Sequence, residues 1–273
     1  MIGENHDKIN IIVKGAIIGG TMMVPGASGG TMAMILGIYD RLIRSVSGFR
    51  NHRYESVVFL LLFCAGGCLG MFILSKPVMY CMQNFKMATM YFFIGAIFGG
   101  VPMIISESKG TLLSWKRLMH ISSGVLIVLL VSVIPTGYFD SQLDMNPKTA
   151  VLLAVAGFTA AAALVLPGIS VSYLLLIMGL YDETMRAISQ LYMPFLISIG
   201  TGTFLGIIIT TKCLEKAMDR YPLAVYSIIL GFVLGSVVQV FPGIPVPAEL
   251  PASILSLAVG FSTIFLLSRK RKK

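Results

Sequence analysis

Charged residues are scarce in this chain. They form 12% of its 273 residues, against 56% hydrophobic residues, and the mean hydropathy is +0.87. Soluble globular domains are charged at about a quarter of their positions, so the composition excludes that class and predicts an integral membrane protein. The net charge of +9 could suggest nucleic-acid binding, but the basic residues occupy short loops between apolar segments. We therefore expect no nucleic-acid partner.

Cysteine and histidine are also rare, with four and three residues. The cysteines lie in or beside apolar segments without the spacing of a zinc site or a disulfide framework, which predicts small buried hydrophobic residues. The histidines are scattered, and no paired acidic motif recurs. A lipid phosphatase within the membrane would need a nucleophile or a metal cluster. We therefore expect no enzyme, no metal and no other cofactor. The four cysteines are Cys64, Cys68, Cys81 and Cys213, and the three histidines are His6, His52 and His120.

Six apolar segments approach the ~20 residues that a spanning helix needs. Two further regions, 9–43 and 148–188, each contain shorter apolar arms around a Pro-Gly break. Because the arms of the first region are too short for the ~30 Å hydrocarbon core, we predict a re-entrant hairpin in each region. The arm 148–166 is long enough to leave two full spans as an alternative there. The six predicted spans cover 56–75, 88–106, 118–136, 193–212, 222–241 and 251–268.

The two breaks have related sequences. Positions 25–40 and 167–182, which lie 142 residues apart, share Pro, Gly, Ser, Gly, Tyr and Asp at matching places. The pattern indicates an internal duplication with halves 1–137 and 138–273, each holding one hairpin and three spans. Glycine pairs four residues apart recur at an offset of 136 and predict close helix packing between the repeats. These pairs are Gly66 and Gly70 with Gly202 and Gly206, and Gly95 and Gly99 with Gly231 and Gly235.

The basic residues predict the orientation. With both termini cytoplasmic, all but four of the 21 Lys and Arg residues fall on the inner side, as the positive-inside rule requires. Each half crosses the membrane an odd number of times, so the second half is inverted. The predicted fold class is an all-α integral membrane protein of two inverted repeats, each a re-entrant helical hairpin plus three transmembrane helices. The first apolar run lacks a cleavage site, so we expect no cleaved signal peptide.

Functional chemistry is expected at the two hairpin tips. We call residues 25–31 the first tip and residues 167–172 the second tip. Unwound backbone at membrane depth normally lines a cavity, and hydroxyls beside helix N-termini favour an anion. The alternative is that Pro-Gly only makes the turn and that the hydroxyls cap the helices. The predicted phosphate-binding residues are Pro25, Gly26, Ser28, Gly29, Gly30 and Thr31 in the first tip and Pro167, Gly168, Ser170 and Ser172 in the second.

The tips need help from cations. A helix N-terminus stabilises an anion by about 0.3 to 2 kcal/mol, whereas moving an ion into a low-dielectric interior costs on the order of 20 kcal/mol. Arg44 and Arg186 align at the offset of 142, as do Asp40 and Asp182, and an arginine fork suits phosphate oxygens. The alternative for basic residues near a loop is a purely topological role. The candidate cations are Lys14, Arg41, Arg44 and Arg186, with Asp40 and Asp182 as partners of the arginines when no phosphate is bound.

The segments VPGASGGTMAMILGIYDRLI at 24–43 and LPGISVSYLLLIMGLYDETM at 166–185 resemble the bacterial polyprenyl-phosphate transporters called PopT, formerly a domain of unknown function. The likeness covers essentially the whole chain. It implies a flippase that returns undecaprenyl phosphate, the lipid carrier of cell-wall and surface-glycan synthesis, from the outer to the inner leaflet of the bacterial cytoplasmic membrane. The residues Ser28 to Thr31, Ser170 and Ser172 would then bind the head group. Many family members carry an Ala-Asp pair where this chain has Met22 and Met23, so no acid-dependent coupling is implied there.

Two other functions fit parts of the pattern. A secondary transporter of a small soluble anion could use the same half-helix ends. A lipid phosphatase is disfavoured by the missing cluster described above. A polyprenyl-phosphate partner also suits the bilayer, because each methylene transferred to water would cost ~0.8 kcal/mol. The tail should therefore stay in lipid while only the phosphate follows a polar path.

Overall fold

The computed structural model describes residues 2–22, 24, 28–49, 53–108, 114–134 and 146–270, and these residues form α-helices with no β-strand among them. The six helices of the first half are α1 (Ile2–Thr21), α2 (Gly29–Ile35), α3 (Tyr39–Ser47), α4 (Arg53–Asn84), α5 (Lys86–Glu107) and α6 (Trp115–Val133). The six helices of the second half are α7 (Pro147–Val165), α8 (Val171–Ile177), α9 (Tyr181–Ser189), α10 (Met193–Arg220), α11 (Pro222–Val240) and α12 (Leu250–Lys270).

Seven of the described helices are long and apolar enough to cross a membrane, namely α4 to α7 and α10 to α12. The chain is therefore an all-α, multi-pass membrane protein, as predicted. Six of these helices match the predicted spans, and the seventh, α7, is the first arm of the second hairpin region. The predicted end of α4 at residue 75 is too early, because the helix continues through Pro77 to Asn84. Proline removes one backbone donor, yet here it does not end the helix.

The returning arm of each hairpin region is divided into two short helices, α2 with α3 and α8 with α9, rather than forming the predicted single arm. The division falls at Gly37 and Gly179, whose φ angles are 64° and 70°. The N–H of Gly37 donates to the Met34 carbonyl and that of Ile38 to the Ala33 carbonyl, at 3.0 and 2.9 Å. This is the Schellman arrangement, and it recurs around Gly179. The shared Gly-x-Tyr-Asp sequence therefore ends one helix and starts the next at the tyrosine.

Glycines mediate four close helix contacts, but the predicted packing between the repeats holds for only two of them. A Cβ atom added at any of the eight paired glycines would meet an atom of the neighbouring helix. Two of these contacts join helices of the same half, and two join helices of different halves. In detail, Gly66 and Gly70 of α4 face α1, Gly202 and Gly206 of α10 face α7, Gly95 and Gly99 of α5 face α12, and Gly231 and Gly235 of α11 face α6.

The two hairpin regions lie in different surroundings. The largest hydrophobic cluster of the described residues joins α2 and α3 to α5 and α11 and includes Ile35, Tyr39, Ile104 and Ile229. A smaller cluster is formed by α7 to α10. The first hairpin therefore packs into the centre of the molecule, whereas α8 and α9 pack mainly within their own half.

The four cysteines are exposed, so the prediction of buried residues is wrong for them. They lie on α4 and α10, the two longest helices. In a membrane protein the outer surface faces lipid and is itself apolar, so a small hydrophobic residue is not driven inward as it is in water.

Candidate functional site

The first tip leads into α2. Pro25, Gly26 and Ala27 lie outside the described residues. Ser28 is the N-cap residue of α2 with extended backbone, φ −92° and ψ 132°, and its side chain makes no capping hydrogen bond. It is nevertheless buried, with 9% of its surface exposed. The Ser28 carbonyl accepts the first helical hydrogen bond from Met32, so the hydroxyl sits at the start of the helix without capping it.

The second tip is fully described. Gly168 has a φ of 84°, a left-handed conformation that disfavours any residue with a Cβ. Ser170 is the N-cap residue of α8, and its hydroxyl accepts a hydrogen bond from the Tyr173 N–H at 3.4 Å. Pro167 and Gly168 are buried, whereas Ser172 is exposed. The two tips thus differ in capping as well as in burial.

The structure brings the two tips into direct contact. The Gly168 N–H donates to the Thr31 hydroxyl at 2.8 Å, across 137 residues of sequence. A Cβ atom added at Gly30 would lie 3.2 Å from the Pro167 Cα, so the backbones of the two tips are also close. Thr31 is 3% exposed. Two glycine-containing segments from distant parts of the chain therefore meet in a buried position.

The Tyr-Asp pair that follows the first tip ties it to the second half. The Tyr39 hydroxyl donates to the Val165 carbonyl at the end of α7, at 2.7 Å. The Tyr226 hydroxyl on α11 donates to the Asp40 carboxylate at 2.8 Å. Asp182, which corresponds to Asp40, is exposed. The same dipeptide therefore makes contacts across the halves in one hairpin that its copy does not reproduce.

The three arginines among the predicted cations pair with carboxylates. Arg44 lies 2.6 Å from Asp219 and 3.5 Å from Glu215, both on α10. The hydrogen bond to Asp219 raises the pKa of Arg44, so the guanidinium stays charged. Arg186 pairs with Glu183 on its own helix at 3.0 Å. The predicted partners Asp40 and Asp182 are therefore not the residues that hold the arginines in this structure.

Two further candidate cations belong to the first half. Arg41 pairs with Asp7 of α1 at 2.9 Å, and its guanidinium carbon lies 4.7 Å from the centre of the Phe59 ring. These contacts hold α3 against α1 and α4. Lys14 lies on α1 and is partly buried.

Sequence reasoning missed several residues around the candidate site. Asp219, Glu215 and Tyr226 were not selected, although Glu215 and Asp219 are four residues apart and so share a helix face. Arg117 was treated only as a topological charge, but it is 3% exposed and donates a hydrogen bond to Ser108. A buried arginine needs such partners. The spacing of Glu215 and Asp219 was the sequence signal that could have identified the acidic face of α10. No local sequence pattern identifies Tyr226.

The groups at the tips are of kinds that can bind an anion. In the part of the chain that the structure describes, no group of three or more His, Cys, Asp or Glu residues could hold a metal ion. What the tips offer is hydroxyls, close backbone and the starts of α2 and α8. Such groups can coordinate an anion for short periods, with arginines at a distance to complete the charge.

The chain is similar to known proteins along most of its length. A model of the undecaprenyl phosphate translocase-like family matches residues 18–250. A polyprenyl-phosphate transporter from Staphylococcus aureus is 34% identical over 269 residues, which cover 94% of this chain and 95% of that protein. Another polyprenyl-phosphate transporter, from Vibrio cholerae, is 25% identical over 256 residues, covering 89% of this chain and 80% of that protein. No solved structure matches the chain.

Proposed function

Because the chain belongs to the undecaprenyl phosphate translocase-like family, we propose that it transports a polyprenyl phosphate across the membrane. The proposed substrate is undecaprenyl phosphate, returned from the outer to the inner leaflet of the bacterial cytoplasmic membrane. The observation that carries the proposal is the buried hydrogen bond between the tips, from Gly168 to Thr31. Irregular backbone inside a membrane bundle is accommodated where it lines a cavity or a substrate path.

The phosphate binds between the two tips. Ser28 and Thr31 supply hydroxyls from the first tip, and Ser170 and Ser172 supply them from the second, while the glycines allow a close approach to backbone N–H groups. Because Thr31 and Gly168 bond to each other in this structure, the phosphate replaces this contact when it enters. Each charge-assisted hydrogen bond formed in this way contributes about 1 to 3 kcal/mol.

Arginines meet the head group on either side of the tips. Arg186 lies beyond the second hairpin, on the side that carries few cations, and it is the first ligand for a carrier in the outer leaflet. Arg44 is its counterpart on the arrival side, with Arg41 and Lys14 nearby in the first half. In this scheme both termini are cytoplasmic, and the first hairpin enters from the cytoplasmic side while the second enters from outside.

The prenyl tail stays in the bilayer throughout. The outer faces of α4 and α10 expose large apolar side chains, including Phe72 and Phe204 at 84% and 65%. In this proposal the tail passes through a lateral opening between helices, and the protein needs no enclosed tunnel. Keeping the tail in lipid avoids the cost of ~0.8 kcal/mol for each methylene exposed to water.

The test is transport in proteoliposomes that contain only this protein. Undecaprenyl phosphate in each leaflet is measured with a membrane-impermeant reagent for the phosphate head. We expect the native protein to exchange the lipid between leaflets and the double variant Ser28→Ala, Ser170→Ala to be slower at equal folded amount. Arg186→Lys should be intermediate, because it keeps the charge and loses the bidentate fork, and Arg186→Gln should nearly abolish transport.

Two outcomes would contradict the proposal. Undecaprenyl phosphate that stays in its leaflet while a soluble phosphate crosses would assign the protein to small anions instead. Unchanged lipid transport in the double serine variant would remove the phosphate from the tips. If Arg186→Gln behaves like the native protein while changes at Lys14 or Arg41 stop transport, the phosphate is neutralised from the first hairpin.

A further inference from the structure

The helices α3 and α9 occupy corresponding positions in the two halves but have different neighbours. α3 packs against α10 of the other half, and α2 packs against α5. Within the described residues, α9 has no packing of similar extent against α4, and α8 has none against α11. The two hairpins are therefore held differently, because the first packs against α10 and α5, whereas the second is held by Tyr173, whose hydroxyl donates to the Ser132 carbonyl of α6.

Three polar contacts hold α3 against the second half. We call Arg44, Asp219, Glu215, Asp40 and Tyr226 the α3 latch. Its outer part is the ion pair of Arg44 with the two carboxylates of α10, at 2.6 and 3.5 Å, and Arg44 is 53% exposed there. Its inner part is the hydrogen bond from the Tyr226 hydroxyl to Asp40, and Tyr226 is 6% exposed. The inner bond is shielded from water and is the stronger part of the latch.

The other half of the chain cannot build the same latch. The ends of α4 and α10, and the starts of α5 and α11, correspond at the offset of 136. At that offset the counterparts of Glu215, Asp219 and Tyr226 are Met79, Gln83 and Met90. None of these three side chains carries a carboxylate or a hydroxyl. The polar closure is therefore encoded on one side of the molecule only.

We propose that the α3 latch is a gate and that this structure has it closed. The closed latch blocks the way to the tips from the side of α3. Asp219, Glu215 and Tyr226 are then positioning residues for transport, because they hold α3 in place. The inference rests on the proposed function, under which the side of α3 is cytoplasmic.

Binding of the phosphate to Arg44 favours opening of the gate. Arg44 can form a bidentate contact with phosphate oxygens, and the phosphate then competes with Asp219 and Glu215 for the guanidinium. A ligand shifts a two-state equilibrium by its difference in affinity for the two states. A shallow groove of about 610 Å³ lies beside these carboxylates and presents three cations for the departing head group. They are Lys212, Lys216 and Arg220.

The gate is tested by labelling a single cysteine at the first tip, which needs no substrate. The four native cysteines are replaced, and Ser28→Cys is the reporter because the substitution is small and the site is buried. A membrane-impermeant thiol reagent is applied from each side of sealed vesicles, and Lys216→Cys in a separate protein identifies the side of α3. We expect slow labelling of residue 28 from that side. Asp219→Asn should raise the rate about two- to fivefold, and Tyr226→Phe about tenfold.

A matched control comes from the second half. Glu183→Gln removes the ion pair of Arg186 within α9, which makes no contact across the halves, and it should leave labelling from the side of α3 unchanged. The charge exchange Arg44→Asp with Asp219→Arg should restore slow labelling that Arg44→Asp alone has lost. Rapid labelling of native residue 28 from the side of α3, or rates that Asp219→Asn and Tyr226→Phe do not change, would overturn the gate.

The labelling result and the transport result fail separately. If the latch variants change labelling but undecaprenyl phosphate does not cross in proteoliposomes, the gate stands and the substrate is wrong. If the lipid crosses and labelling never responds to the latch variants, the substrate stands and the α3 latch is only a structural contact.

Discussion

The two hairpins carry the same motif in different settings. Tyr39 of the first is 1% exposed and bonded to the end of α7, whereas Tyr181 of the second is only partly buried. Both hairpins share the Pro-Gly sequence, the serine and the glycine that ends the short helix. The comparison shows that the shared residues of the motif determine the local path of the backbone, while residues that differ between the two copies determine what each hairpin contacts.

A single position shows how this difference arises. Thr31 and Tyr173 correspond at the offset of 142. The short hydroxyl of Thr31 accepts a bond from the opposite tip, whereas the longer side chain of Tyr173 donates to the Ser132 carbonyl of α6 at 2.8 Å. The first tip is therefore joined to the second, and the second is anchored to the surrounding helices.

The largest effect is expected for Gly168→Ala. The backbone there is left-handed, and a Cβ atom would lie 2.5 Å from the Phe232 carbonyl carbon, so the substitution combines backbone strain with a clash. We expect a loss of roughly 3 kcal/mol or more in unfolding free energy, measured by thermal unfolding in detergent. Gly243→Ala is the control, because Gly243 has a φ of 99° with nothing within 4 Å of the added atom. Equal losses at both glycines would show that the second tip is not tightly packed.

Breaking the contact between the tips should have the next largest effect. Thr31→Val keeps the shape of the side chain but leaves the buried Gly168 N–H without an acceptor, which costs about 1 to 3 kcal/mol. Thr31→Ser keeps the hydroxyl and should lose less than half as much. Unfolding in detergent gives both values. Identical stability of the valine and serine variants would mean that the hydrogen bond contributes nothing.

The tip serines should differ in stability when each is replaced by alanine. Ser170 caps α8, so Ser170→Ala should cost about 0.5 to 2 kcal/mol. Ser28 makes no capping bond, and Ser28→Ala should change stability by less than ~0.5 kcal/mol. The same unfolding assay compares them. A larger loss at Ser28 than at Ser170 would reverse the comparison and assign the structural role to the first tip.

The smallest effect is expected at the ion pair of the second hairpin. Arg186 and Glu183 form an exposed pair within one helix, and such pairs contribute between 0 and about 1 kcal/mol. Glu183→Gln should therefore shift the unfolding midpoint by no more than a degree or two, and high salt should remove the shift. A salt-independent loss would instead indicate that α9 packs more firmly than its exposure suggests.

Much of the fold could be predicted from the sequence because its signals are local. Long apolar runs predicted the spans, and recurring glycine pairs predicted the close helix contacts. The division of each returning arm could also have been found, since a glycine after seven helical residues is the usual end signal of a helix. The extension of α4 through Pro77 could not, because packing against neighbours can override a local preference.

The candidate site was predictable only in part. Pro-Gly and the serines identified the tips through a repeated motif. The partners of Arg44 and Asp40 lie 175 and 186 residues away, and no pattern in one sequence indicates such a pairing. The counterparts of Glu215, Asp219 and Tyr226 in the first half are apolar or neutral. Comparison of the two repeats therefore gave no indication of these partners. Long-range polar contacts that exist in one half alone have no repeat by which to be recognised.

The glycine contacts also determine when the protein can be completed during its synthesis. α5 and α6 are made in the first half, but the helices that fill their glycine faces, α12 and α11, leave the ribosome last. Until then the glycine-containing faces of α5 and α6 are in contact with lipid. The close backbone contacts that small residues favour cannot form there. A chain that ends before α11 keeps both hairpins but lacks the frame that should hold them. Folding of this membrane protein therefore finishes only with insertion of the final helix.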